Sequence, residues 1–176
     1  MKLLFFDLET TGFSREHNDI IELAGILVDS ETREKIDEFH EYIKPRQRIS
    51  STITDLTGIT NAMVQNKMQM WEVLPMFYAW CKEVGVDMFV GHNIDTFDMG
   101  FMRAKASIYN VTNFKEYPTI DTLKWAKDMN KRGIIRTQDN KQPTLAEYFG
   151  IKYVAHSAIN DVTALKDIYF KMLELR

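Results

Sequence analysis

The alternation of apolar and polar positions divides this chain into strand-like runs early and helix-period segments later. Leu3-Leu4-Phe5-Phe6 is a short run of bulky apolar residues that leads into Asp7-Leu8-Glu9 and then Thr10-Thr11-Gly12. That order predicts a buried strand ending in a turn. Ser14 to Asp19 is polar and reads as a loop, and Ile20 to Asp29 (IIELAGILVD) is mostly apolar and predicts a second strand. Asp29-Ser30-Glu31-Thr32 predicts a hairpin turn, after which Lys35 to Ile43 alternates as a third strand would. Pro45 ends it. Ser50 to Met70 predicts short helices and turns around Leu56-Thr57-Gly58-Ile59-Thr60.

Over Trp71 to Val84, the apolar positions Val73, Leu74, Phe77, Tyr78 and Cys81 predict an amphipathic helix that stops near Gly85. Met88-Phe89-Val90 predicts a short buried strand, followed by Gly91-His92-Asn93 and a helix from about Asp95 to Tyr109. Thr119-Ile120-Asp121 predicts a last strand leading into a helix over Leu123 to Met129. Lys131 to Gln142 is charged and irregular and predicts an exposed loop. Leu145 to Phe149 predicts a short helix closed by Gly150, and Ser157 the cap of a final helix running nearly to Arg176. Three early strands, then strands alternating with helices, predict an α/β fold with a mixed sheet.

Composition narrows this picture. The chain has 176 residues, 45% of them hydrophobic, enough for one globular domain over 1–176 with its own core. No basic leader precedes a long apolar segment and no apolar stretch approaches ~20 residues, so neither a signal peptide nor a membrane span is expected. The single Cys81 makes no intrachain disulfide, which fits a reducing, cytoplasmic setting. The net charge of −3 gives no support to bulk nucleic-acid binding, but does not exclude an enzyme that grips a few phosphates through metal ions. Lys44, Arg46 and Arg48, and Lys131, Arg132 and Arg136, form local basic clusters that read as solvated rims.

The unusual feature is where the acids fall. Alternate strand residues share a face, so Asp7 and Glu9 point the same way, roughly 7 Å apart along the chain. In the last helix, Asp161 shares the core-facing stripe of Ala164, Leu165, Ile168 and Met172. In the middle helix, Asp98 projects beside the stripe of Phe97, Phe101, Ala104 and Ile108. A single strand-end acid reaches solvent, and a single helix-start Asp caps free N–H groups. Four inward carboxylates in one domain point instead to a shared site for a hard divalent cation, Mg²⁺ or Mn²⁺. His156, in the loop before the last helix, suits a general base for a bound water. His17, His40 and His92 read as surface histidines, although His92 stands beside Asn93 on a loop leading to an acidic helix.

Read together, these segments resemble the DEDDh family of 3′→5′ exonucleases, which includes the DNA polymerase III epsilon subunit. Phe6-Asp7-Leu8-Glu9-Thr10-Thr11-Gly12 is similar to its first motif, and Gly91-His92-Asn93 through Phe97-Asp98-Met99-Gly100-Phe101-Met102 to its second. His156-Ser157-Ala158-Ile159-Asn160-Asp161 has the histidine-to-aspartate spacing of its DEDDh branch, and Leu56 to Thr60 resembles a segment that packs on the terminal nucleotide. One departure is that five positions separate Asn93 from Asp98, where many epsilon subunits have one fewer.

The resemblance implies a ribonuclease H-like fold: a central mixed five-stranded sheet, one strand antiparallel, flanked by helices. It implies two divalent ions held by Asp7, Glu9, Asp98 and Asp161, with His156 taking the proton of the attacking water. It places Thr10, Thr11, Leu56, Thr57, His92, Asn93 and Phe97 around the substrate, with Leu56 and Phe97 either packing on terminal bases or belonging to the core. The implied substrate is a single-stranded 3′ end, DNA ahead of RNA. An exoribonuclease, an endonuclease and a non-catalytic binding module are the alternatives. A DNA polymerase is a candidate partner, although the sequence shows no long polymerase-binding tail after the last helix.

Overall fold

A computed structural model describes residues 1–152 and 157–176. Strands β1 (Lys2–Thr10), β2 (Ile20–Asp29), β3 (Lys35–Tyr42), β4 (Met88–Gly91) and β5 (Thr119–Asp121) form one sheet in the order β3-β2-β1-β4-β5. β2 runs antiparallel to both β1 and β3, while β4 lies parallel to β1 and β5 parallel to β4. The expected mixed five-stranded sheet with one antiparallel strand is therefore present. β1 and β4 are central and parallel, so their C-terminal ends open at the same edge, where loops can bring side chains together.

The pleat of β1 assigns its residues to two layers. Leu4, Phe6 and Leu8 face α3 (Met70–Val84) and α4 (Asp98–Ile108), in a core that includes Phe77, Phe89 and Phe101. Leu3 and Phe5 face α7 (Ala158–Glu174), packing with Val162, Leu165, Tyr169 and Phe170. Asp7 and Glu9 continue the Leu3–Phe5 side and so point toward the start of α7. On α3, Val73, Leu74, Phe77, Tyr78 and Cys81 are all buried, and Gly85 ends the helix at φ 73°.

Three boundaries differ from the sequence reading. The helix expected from Asp95 begins at Asp98; in the turn before it the Phe97 N–H donates to the Asn93 carbonyl at 2.9 Å, and the Asp121 side chain holds the turn from outside. Asp121 accepts hydrogen bonds from the Asn93 N–H at 3.0 Å and the Asp95 N–H at 3.4 Å while also capping α5 (Thr122–Lys131). Gly91 permits this turn, since a Cβ there would stand 2.6 Å from that of Ile94. The segment expected as an exposed loop is anchored: Ile135 is fully buried, and Asn130 bonds Thr137 and Asn140. α6 (Gln142–Tyr148) then starts earlier than the apolar pattern implied, with Pro143 in its first turn. Ser157 does stand at the N-cap of α7, but its side chain makes no capping bond; Asp161 Oδ2 instead accepts from the Ser157 N–H at 3.1 Å.

The loop between β1 and β2 is fastened by a buried ion cluster. The Lys105 side chain is fully buried, with Nζ 3.2 Å from Asp19 Oδ1, and Arg46 Nη2 lies 2.8 Å from the same oxygen. Arg46 is thus engaged in an ion pair, not a free rim cation. Burial opposes the Asp19 charge, but hydrogen bonds from Arg46 and Lys105 outweigh it and hold the carboxyl below its usual range. Asp19→Ala would strand the Lys105 charge and is expected to cost about 3–5 kcal/mol, with Lys105→Met recovering part of the loss. Urea unfolding of the single and double variants measures this. A cost under about 1 kcal/mol, typical of surface pairs, would show that the cluster does not bear the loop.

Candidate active site

β1, β4 and the first turn of α7 meet at a cavity of about 370 Å³ lined by Asp7, Glu9, His92, Asn93, Gln142 and Asp161 among others. One carboxylate oxygen each from Asp7, Glu9 and Asp161 lies within 4.8 Å of the other two. Strand alternation supplies the first pair, and α7, packed on the same face of the sheet, brings the third. Asp98 is not in that group or in the cavity lining: it stands at the first position of α4, only 2% exposed, and among the described residues its Oδ1 has no hydrogen-bond partner. A buried carboxylate oxygen without a donor is costly unless it binds a proton or a cation.

The electrostatics agree. Burial pushes Asp7 well above the usual carboxylate range, and the charges of Asp98, Asp161 and Glu9 add to the shift. Burial raises Asp98 to about 8. Glu9 also reaches about 8, through burial first and then the charges of Asp161 and Glu22. Without a cation these carboxyls compete for protons near neutral pH. Their hard oxygen donors, convergence and orphaned atom fit divalent ions such as Mg²⁺ or Mn²⁺.

The other expected site residues divide into two groups. His92 and Asn93 line the cavity. His92 is no surface histidine: its Nδ1 lies 3.0 Å from Thr122 Oγ1, and burial lowers it to about 4, so it is neutral at physiological pH. Asn93 takes φ 68°, a left-handed conformation that asparagine tolerates better than most residues. Thr10, Thr11, Leu56, Thr57 and Phe97 lie outside the cavity lining. Thr10 Oγ1 donates to the Gly12 carbonyl at 2.8 Å, and Thr11 Oγ1 accepts from the Asp19 N–H at 2.9 Å. Thr57 is buried and bonds within its own turn, whereas Leu56, at the end of α1 (Ser51–Thr57), is 49% exposed. Phe97 packs on Phe101 on one side and on Phe13 on the other. His156 lies outside the described residues.

Four contributors had no signal of their own in the chain. Gln142 Nε2 donates to the Asp161 carbonyl at 2.9 Å and to its Oδ1 at 3.3 Å. Lys141 brings a positive charge to the cavity wall. Asp121 anchors the turn before Asp98. Phe13 is 90% exposed beside Phe97, an unusual position for a large apolar ring. Only the Pro143 start signal could have drawn attention to Gln142.

A mixed sheet of this order, with acids gathered at the ends of its central parallel strands, is the ribonuclease H-like architecture of DEDDh exonucleases. The chain belongs to the exonuclease family, whose sequence pattern it matches over residues 4–169. It is 34% identical, over 98% of its length, to DNA polymerase III PolC-type of Caldanaerobacter subterraneus subsp. tengcongensis, and 36% identical over 96% to that of Bacillus subtilis. The chain spans only 12% and 11% of those relatives' own lengths. Its fold is shared by the nuclease domain of 3′hExo, a DEDDh family member solved with bound rAMP: TM-score 0.77, 22% identity, covering 98% of this chain and 92% of that one. It is also shared by Escherichia coli exonuclease I in complex with a dT13 oligonucleotide: TM-score 0.82, 21% identity, covering 98% of this chain and 40% of that one.

Proposed function

We propose that residues 1–176 form a metal-dependent 3′→5′ exonuclease domain that hydrolyses the terminal phosphodiester of single-stranded 3′ ends. The products are nucleoside 5′-monophosphates, and DNA is the preferred strand. The observation that carries this reading is the convergence of Asp7, Glu9 and Asp161 within 4.8 Å, with the buried Asp98 Oδ1 lacking a partner among the described residues. The polymerase III relatives support a proofreading or repair role in the cytoplasm, alongside a DNA polymerase. No helix among the described residues is long and apolar enough to cross a membrane.

Asp7, Glu9, Asp98 and Asp161 would hold two divalent ions. When bound, the ions supply an activated water and stabilise charge on the departing 3′ oxygen. The protein's part is placement. The strand and helix backbones fix the carboxylates before substrate arrives, so little reorganisation accompanies the reaction. Gln142 holds the Asp161 carboxylate from behind. Lys141 sits where it can meet a phosphate. His156 accepts the proton of the attacking water. Phe13 and Phe97 offer ring faces and edges on which terminal bases can stack whatever their sequence.

The test is a single-stranded oligonucleotide with a 3′ label, as DNA and as RNA, incubated with Mg²⁺. Release of labelled nucleoside 5′-monophosphate, faster from DNA, is the expected result. Faster release from RNA would favour the exoribonuclease reading, which the rAMP-bound fold neighbour also suggests. No release from either would end the enzyme reading, and cleavage of circular single strands would replace it with an endonuclease.

A further inference from the structure

Glu22 on β2 is 1% exposed and lies directly across from Glu9 in the β1–β2 register. Cross-strand partners share a face, so Glu22 points at the same side of the sheet as the acidic site. A like charge there is unfavourable unless it is committed elsewhere, and both of its oxygens are. Oε1 lies 2.7 Å from His40 Nε2 on β3, and Oε2 accepts a hydrogen bond from the Ala158 N–H at 3.1 Å. Ala158 is the first residue of α7, and Asp161 lies in the same helical turn. The carboxylate thus ties the sheet to the end of α7 that carries Asp161. His40, half-buried on the edge strand, holds the other oxygen and keeps the carboxylate turned toward α7.

We propose that Glu22, held by His40, is a positioning residue that sets α7 against β1, so that Asp161 meets Asp7 and Glu9 at metal-binding distance. Glu22 is not counted among the ligands: its oxygens are turned to His40 and the Ala158 N–H, and the converging group is Asp7, Glu9 and Asp161. The idea rests on the metal-dependent reading of the site above, but its consequence for cation binding can be read without any nuclease assay. Outer partners of this kind act by orienting the groups that touch the metal.

Three variants of the whole chain test it: Glu22→Ala, Glu22→Gln and His40→Ala. Mn²⁺ binding is followed by electron paramagnetic resonance, kcat and KM on a single-stranded DNA oligonucleotide, and folding by circular dichroism. Glu22→Ala is expected to weaken Mn²⁺ binding about 10–100-fold and to lower kcat by a similar factor. KM for the oligonucleotide should be unchanged, because no substrate contact is lost. Glu22→Gln should recover most of both losses, since an amide oxygen can still accept from Ala158 while the amide nitrogen faces His40. His40→Ala should weaken Mn²⁺ binding in the same direction but less. Unchanged Mn²⁺ affinity in a folded Glu22→Ala protein overturns the proposal. So does a Glu22→Gln protein as impaired as Glu22→Ala, because charge rather than position would then be at work. If Glu22→Ala does not fold, His40→Ala decides, and Mn²⁺ affinity equal to the unmutated protein's overturns the proposal. If the unmutated protein releases no mononucleotide yet its Mn²⁺ affinity falls in Glu22→Ala, the nuclease reading fails and the positioning role stands.

Discussion

Asp98→Asn is expected to reduce mononucleotide release by at least about 10²–10³-fold, the loss that follows removal of one preorganised charge-stabilising group. The Asp98 side chain is buried, one of its oxygens has no donor among the described residues, and it shares the site's charge with Asp7, Asp121 and Glu9. Asparagine keeps the shape and removes the charge. It can no longer offer a second anionic oxygen to a cation, but its amide can donate toward the neighbouring carboxylates. The metal-free variant should therefore unfold at a higher temperature than the unmutated protein near neutral pH, even as activity collapses. Release from a 3′-labelled oligonucleotide and thermal unfolding in chelator measure the two effects. A variant that keeps the full rate would remove Asp98 from the metal site; one that is inactive but less stable would mean its carboxyl serves the fold.

Metal removal should make stability depend steeply on pH. Asp98 and Glu9 are raised to about 8, and Asp7 is raised too. The unfolded chain releases these protons near pH 4, whereas the fold retains those of Asp98 and Glu9 to about pH 8 and holds that of Asp7 well above the usual carboxylate range. Between those values the folded state binds more protons, so stability falls as pH rises, by several kcal/mol across the window. The unfolding temperature in chelator should drop by about 5–15 °C from pH 5 to pH 8. Saturating Mg²⁺ or Mn²⁺ replaces the protons, and the profile should flatten, with the largest metal-induced stabilisation at the alkaline end. A chelated protein whose unfolding temperature is constant or rises over this range would mean that the carboxylates do not repel one another as their geometry implies.

Much of this was legible in the linear chain because periodicity reports burial. The β1 run and the α3 stripe each repeat at one period long enough to identify their elements. Asp7, Glu9 and Asp161 stood out because they broke that pattern, and the structure gathers all three. The turn at 94–97 and the segment after α5 were not legible. Their conformations depend on single side chains, Asp121 and Asn130, bonding backbone or polar groups remote in sequence, and such bonds leave no periodic trace. His40 and His92 read as surface histidines for the same reason: the Glu22 carboxylate and the Thr122 hydroxyl that engage them come from other elements.

The sequence by itself determined that Asp7, Glu9 and Asp161 turn inward, because strand and helix periods are local properties of the backbone; the buried Asp19, Glu22 and Asp121 it did not show. It also determined that β1, β2 and the closing helix carry apolar faces that must be covered. Only the tertiary structure decided that the three carboxylates converge within 4.8 Å, that Gln142 stands behind Asp161, and that Glu22 reaches from β2 to the first turn of α7. Those distances depend on sheet order and on the docking of α7. Both come from burying faces far apart in the chain, and no local pattern encodes them.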